Sequence, residues 1–237
     1  MSTNSFSIGD IINESWAIIK RHIWLFAATM LGFLLVYYLV TLLVGFVFGG
    51  AVAVSSTDPS EILASMFSVA YLMTMLAGVA LSAIFYLGFY KMALDAADGL
   101  TPQLSSFSQI SGKKILNLFI ANIICFIVTY IGLILCIIPG LFIATRLQFY
   151  IYFIVEKDCN ALDALSKSWE YTSGETLNLM LFVLALVLIN FIGVLCCGIG
   201  VLVTAPMSTI AMALVYRRLT GTVPQEEDFE ALSETNI

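Results

Sequence analysis

The sequence predicts an all-α integral membrane protein: a six-span transmembrane helical bundle made of three repeated units, each an amphipathic helix followed by a transmembrane hairpin. Three observations predict it. Of the 237 residues, 60% are hydrophobic and 11% charged, against roughly a quarter charged in an ordinary soluble domain. The charges cluster between long charge-free stretches, each at least as long as the roughly 20 residues a helix needs to cross a bilayer. Two of those stretches also resemble each other at an offset of 61 positions.

The first two stretches, 23–48 and 62–90, read as single spans. The next, 115–155, is interrupted only by Arg146, and the last runs over 176–216. A helix of either length would be about 60 Å long, twice the hydrocarbon core, so each must fold into a hairpin. Ile138-Pro139-Gly140 and Gly198-Ile199-Gly200 supply the turns, since proline lacks an N–H and glycine accepts unusual dihedrals. The spans are then 23–48, 62–90, 115–138, 140–155, 176–196 and 200–216. Pro206 lies within the last, where it should kink the helix, with Thr204, Ser208 and Thr209 nearby to satisfy freed carbonyls.

Superposing the two hairpins pairs Leu116-Asn117-Leu118 with Leu177-Asn178-Leu179, Gly132 with Gly193 and Cys136 with Cys197. An amphipathic stretch precedes each unit. Before span 5, Ala161, Leu162, Leu165 and Trp169 share one face, and before span 1 Ile8, Ile11, Ile12, Trp16 and Ile19 do the same. The segment Leu104 to Ser111, before span 3, is weaker. Such helices either lie in the headgroup plane, anchored by Trp16 and Trp169, or pack on the end of the bundle. Units inserted in one direction are unlike the inverted halves of many transporters.

Lys20, Arg21, Lys91, Lys113, Lys114, Lys157, Lys167, Arg217 and Arg218 all fall on one side of these spans. Lysine and arginine stay cytoplasmic during insertion, so both termini are expected in the cytoplasm. The first apolar stretch is too long for a signal peptide core, so no cleavable leader is expected. Residues 1–219 form one membrane domain, and 220–237, with Glu226, Glu227, Asp228, Glu230 and Glu234, form an acidic tail of disordered composition.

Little in the chain promises chemistry. His22 is the one histidine, and no HExxH, phosphate loop, GxSxG or intramembrane carboxylate pair occurs, so neither a metal nor another cofactor nor an enzyme is expected. No basic patch with interleaved aromatics points to nucleic acid. Cys136 with Cys196 or Cys197 leaves open a disulfide at the far turns. Arg146 is the most informative residue. About 9 Å into span 4 from the far turn, it is costly unless partnered. Its neutral candidates are Gln148, Thr145, Thr129, Asn122, Asn190 and the carbonyls beside Pro139. One reading is structural; the other makes Arg146, with Gln148, a site for a phospholipid phosphate or other anion.

Ile131 to Gly140, then Val155-Glu156-Lys157-Asp158 and Ala161 to Trp169, resemble uncharacterised bacterial inner-membrane proteins similar to the membrane domain of membrane-anchored glycerophosphodiester phosphodiesterases. The resemblance implies a six-helix module without the catalytic domain, since only 19 residues follow Arg218. No catalytic residue carries over. The expected function is a non-catalytic lipid-interacting or scaffolding module in envelope homeostasis, with membrane lipids as partners and protein partners at the cytoplasmic helices. The alternative is a transport component for a small hydrophobic or anionic solute, with Arg146 in its path.

Overall fold

The computed structural model describes residues 6–53, 58, 69–195 and 200–221. Helix α1 spans Ile8–Ala53, α2 Val69–Ala97, α3 Gly112–Leu135, α4 Ile137–Leu147, α5 Tyr150–Lys157, α6 Ala161–Tyr171, α7 Thr176–Leu195 and α8 Val201–Thr220. A 3-10 turn, Leu104–Gln109, links α2 to α3. The architecture is all-α. Among the described residues, five segments are long and apolar enough to cross a membrane: Ile8–Val44, Tyr71–Ala97, Gly112–Leu135, Ile137–Lys157 and Thr176–Leu195. The chain is a multi-pass membrane protein.

Helix α8 is not in that set, although it covers the sixth expected span. It packs against α1, α2 and α7, and Met207, Ile210, Ala211, Leu214 and Tyr216 are buried along it. A helix enclosed by protein need not be uniformly apolar, and α8 carries Thr204, Pro206, Ser208, Thr209 and two arginines. It runs on through Pro206. Ser208 Oγ donates to the Thr204 carbonyl and Thr209 Oγ1 to that of Ala205, at 2.8 and 3.0 Å.

The N-terminal amphipathic stretch and span 1 meet at His22, whose backbone leaves the helical region (φ −118°, ψ 16°), so the kink falls where the sequence places the start of span 1. Two other boundaries differ from the sequence expectation. Span 4 is broken at Gln148-Phe149 into α4 and α5. The first hairpin reverses at Cys136, which is extended, and Pro139 and Gly140 belong to the first turn of α4. Proline is tolerated there because the N–H groups of a helix's first turn have no intrahelical acceptor. Gly200 is the N-cap of α8; Gly198, Cys196, Cys197 and the acidic tail from residue 222 lie outside the described residues. Cys136 is unpaired.

The packed core sits at the end of the bundle that carries the charges. Ile11, Ile19, Phe26, Met92, Leu94, Tyr152, Phe153 and Tyr216 are all but inaccessible, whereas Leu135 and Ile137 at the hairpin end are 76% and 74% exposed. The expected amphipathic stretches help build that core, each against a different part of the bundle. Phe6, two residues before α1, meets Phe182 of α7, and its carbonyl accepts from Asn178 Nδ2 at 3.2 Å. Phe107 of the 3-10 turn lies against Gly88 and Phe85 of α2. Helix α6 buries Ala161, Ala164, Leu165 and Ser168, and the Cys159 carbonyl before it accepts from Asn117 Nδ2 of α3 at 3.4 Å. Their main apolar partner is therefore protein, while Trp16 and Trp169 stay 41% and 40% exposed.

At the other end each hairpin closes on a pair of glycines. A Cβ on Gly140 would lie 2.6 Å from the Leu133 backbone nitrogen, and one on Gly200 2.5 Å from the Gly193 carbonyl oxygen. Neither backbone can yield as a side chain could. Gly140→Ala and Gly200→Ala are expected to destabilise by about 1–3 kcal/mol through overpacking. Gly32→Ala, with nothing within 4 Å of the new methyl, should be neutral or stabilising by up to about 1 kcal/mol. Thermal melts in detergent check the contrast.

Candidate functional site

Three features could carry function: a charge network, an arginine clamp and a lateral groove. The network begins at Arg217, in the last turn of α8, whose side chain is 7% exposed. Its Nε and Nη2 donate to Asp98 Oδ1 and Oδ2 at 2.6 and 2.5 Å, and Nη1 donates to Glu156. Tyr216 donates its hydroxyl hydrogen to the other Glu156 oxygen at 2.6 Å. Burial alone would lower the Arg217 pKa, but the bonds to Asp98 and Glu156 raise it further, so the guanidinium is firmly charged. The network ties the ends of α2, α5 and α8 together. Nearby, Arg218 pairs with Glu14 of α1 at 2.8 Å and Lys114 of α3 with Asp158 at 3.0 Å.

Removing one partner of a buried ion pair strands the others, which costs more than the pair contributes. Arg217→Met is expected to destabilise by about 3–5 kcal/mol. Adding Asp98→Asn and Glu156→Gln to it should recover part of that loss. Chemical or thermal unfolding of the single and triple variants measures both.

Arg146 has partners that the sequence does not suggest. It ends α4, and α6 folds back along α5 so that its C-terminal turn reaches the α4–α5 break. Arg146 Nη2 donates to the Trp169 carbonyl at 2.5 Å and Nε to Thr172 Oγ1 at 3.5 Å. The guanidinium also sits 3.9 Å from the centre of the Trp169 ring and 5.7 Å from that of Phe142. A cation at the carbonyl end of a helix is favourable, because those carbonyls lack helical partners. Ser168 fastens the same junction, donating to the Arg146 carbonyl at 2.8 Å and accepting from the Phe149 N–H at 3.2 Å.

The expected neutral partners go elsewhere. Asn122 accepts from the Tyr150 hydroxyl at 2.8 Å, and Asn190 donates to Ser208 Oγ at 2.6 Å. Gln148 is not joined to Arg146; its Nε2 is buried without a hydrogen-bond partner. Arg146→Gln is expected to release the end of α6. Backbone amide exchange across residues 161–172 should then rise by about tenfold, the loss of a charge-assisted bond and a cation–π contact, and Arg146→Lys should restore only part of the protection.

The groove lies between α2 and α3, with a volume of about 750 Å³. Leu76 and Ala83 line its apolar wall, and Tyr86, Tyr90, Asn122 and Tyr150 give it a few polar atoms. A second, almost wholly apolar cavity of about 470 Å³ lies on the other side of α2, walled by Thr29, Gly32, Phe33, Phe85 and Phe107. Sequence reasoning missed both, because they depend on how far apart α1, α2 and α3 stand. The tyrosines at 86 and 90, one turn apart on a span, were the available signal.

The model of a family described as a domain of unknown function (DUF7847) matches residues 111–233, just over half of the chain. The chain belongs to this family. Among curated proteins, this member of the family is 28% identical to the uncharacterized protein Rv2560 of Mycobacterium tuberculosis (strain ATCC 25618 / H37Rv), over 93% of this chain and 71% of the relative. It is 27% identical to the uncharacterized protein Mb2590 of Mycobacterium bovis over the same shares. No solved structure matches it. The family match covers α3 to α8 and so includes Arg146, Glu156 and Arg217, while Asp98 lies before it.

Proposed function

We propose that this protein is a non-catalytic, six-span inner-membrane module that holds lipid, with both termini in the cytoplasm. The observation that carries the reading is the groove between α2 and α3. A cleft of about 750 Å³ flanked by membrane-spanning helices has acyl chains as its nearest apolar partner, and its hydroxyls and amide sit where a polar lipid group could orient.

The six-span topology is supported by α8, whose 20 residues are long enough to cross beside α7. The clustering of bases at one end supports cytoplasmic termini. Matching roles support a repeat between the last two hairpins. Asn117 and Asn178, paired by the 61-residue offset, each donate to a carbonyl two residues before an amphipathic helix. Gly132 and Gly193 each face a glycine across a hairpin. The likeness to the membrane domain of glycerophosphodiester phosphodiesterases fits a lipid-facing role. Transport through a path containing Arg146 has less behind it, since Arg146 lines neither the groove nor the cavity beside α1.

Native mass spectrometry on protein purified in mild detergent tests the reading. Wild type is expected to retain a phospholipid, and Ala83→Phe, which fills the groove wall, to retain it at least about tenfold less at unchanged melting temperature. Equal retention would overturn the groove as the lipid site. Solute flux in proteoliposomes carrying the wild type would favour transport instead.

A further inference from the structure

A smaller pocket, of about 270 Å³, opens beside the charge network, lined by Lys91 of α2, Ser106 of the 3-10 turn, Lys114 of α3, Glu156 of α5, and Asp158. We propose that it binds a phosphate–ammonium zwitterion, the chemistry shared by an aminophospholipid headgroup and a free phosphoethanolamine-type ester. Two cations, two anions and a hydroxyl converge there from separate elements, and no segment local in sequence could assemble them.

The bonds each group already makes decide the ligand. Lys91 donates to Asp95 at 2.7 Å, and Ser106 Oγ to the other oxygen of that carboxylate at 3.2 Å. Lys114 donates to the Val155 carbonyl at 2.9 Å and pairs with Asp158 at 3.0 Å. An ammonium has three N–H donors, so both lysines can turn a further donor toward a phosphate oxygen, while Ser106 Oγ, its hydrogen already given to Asp95, can accept from a ligand ammonium. Asp158 is largely exposed and can accept from a ligand ammonium. It is also the one non-glycine residue among those described with a left-handed backbone, φ 49°, ψ 30°. That conformation is costly for a side-chain-bearing residue and here turns the carboxylate back toward Lys114. The equal numbers of lining cations and anions disfavour a bare anion, which Glu156 and Asp158 would repel, and equally a bare cation.

The pocket also lies beside the groove. Tyr90, Gly112 and Ile115 line the groove, and their neighbours Lys91, Ile110 and Lys114 line the pocket. A lipid with its chain in the groove would thus have its headgroup within reach of the pocket. This lipid arm rests on the proposed function, whereas the pocket's own chemistry does not.

Delipidated full-length protein is titrated with phosphoethanolamine, inorganic phosphate and ethanolamine by calorimetry. In parallel, lipid retention is compared for phosphatidylethanolamine and phosphatidylglycerol. Phosphoethanolamine is expected to bind at least about tenfold tighter than either fragment. Lys91→Gln and Ser106→Ala should each weaken it by about tenfold, the loss of one charge-assisted bond. Selective retention of phosphatidylethanolamine, lost in Lys91→Gln, would identify a lipid as the source; phosphoethanolamine binding without that selectivity would identify a free ester. Ser106→Ala leaves both lysine ion pairs in place and keeps the test valid if Lys91→Gln does not fold. Inorganic phosphate binding as well as phosphoethanolamine, or both variants binding like wild type, would overturn the proposal.

Discussion

The double ion pair of Arg217 with Asp98 and Glu156 is the constraint on which the rest of the bundle depends. In a membrane, apolar side chains gain little by leaving lipid for each other, so close packing and polar bonds must supply what the hydrophobic effect supplies in water. Here the polar bonds are concentrated at one end. Asp98 follows α2, Glu156 ends α5 and Arg217 ends α8, so a single guanidinium aligns three helix ends distant in sequence. Around it Tyr152 stacks on Tyr216 and Phe153 meets Tyr216 edge-on, and the inaccessible core forms where these rings exclude water and lipid alike.

The consequence is a bundle tied at one end and open along its sides. Away from the network, α2 stays close to α1 through Phe33 stacked on Phe85 at 3.9 Å, while its other face stands apart from α3 and leaves the groove. At the hairpin end, contact is maintained by backbone approach at Gly132–Gly140 and Gly193–Gly200, where dispersion between close-packed backbones takes the place of side-chain interdigitation. The folded chain thus has two kinds of apolar surface: convex faces of exposed Leu, Ile and Phe, and concave ones on either side of α2.

Much of this was legible from hydropathy and charge. The helices and their polar ends followed from where charges were missing, because excluding charge is what a bilayer demands of a span. The amphipathic segments were legible from their period, but their partner was not. The same face of Ile11 and Ile19, or of Ala164 and Leu165, suits lipid or protein, and only the docking of each segment on another part of the bundle separates the two. The hairpin turn was read as Ile138-Pro139-Gly140 because proline ends helices; it also begins them, and the reversal at Cys136 uses it that way. Arg146 was read from its depth and its lack of an acidic neighbour, but its partners, Trp169 and Thr172, lie more than 20 positions further along the chain.

By itself the sequence determined that this chain is helical, that it crosses a membrane several times, and that its charges gather at the helix ends. Those are one-dimensional properties, set by the cost of placing charge and unpaired backbone in hydrocarbon. Tertiary structure decided which charges meet, where the helices part to leave a groove, and that the arginine inside span 4 serves the end of α6. Each of these is a distance between residues far apart in the chain, and no local pattern of side chains records a distance of that kind.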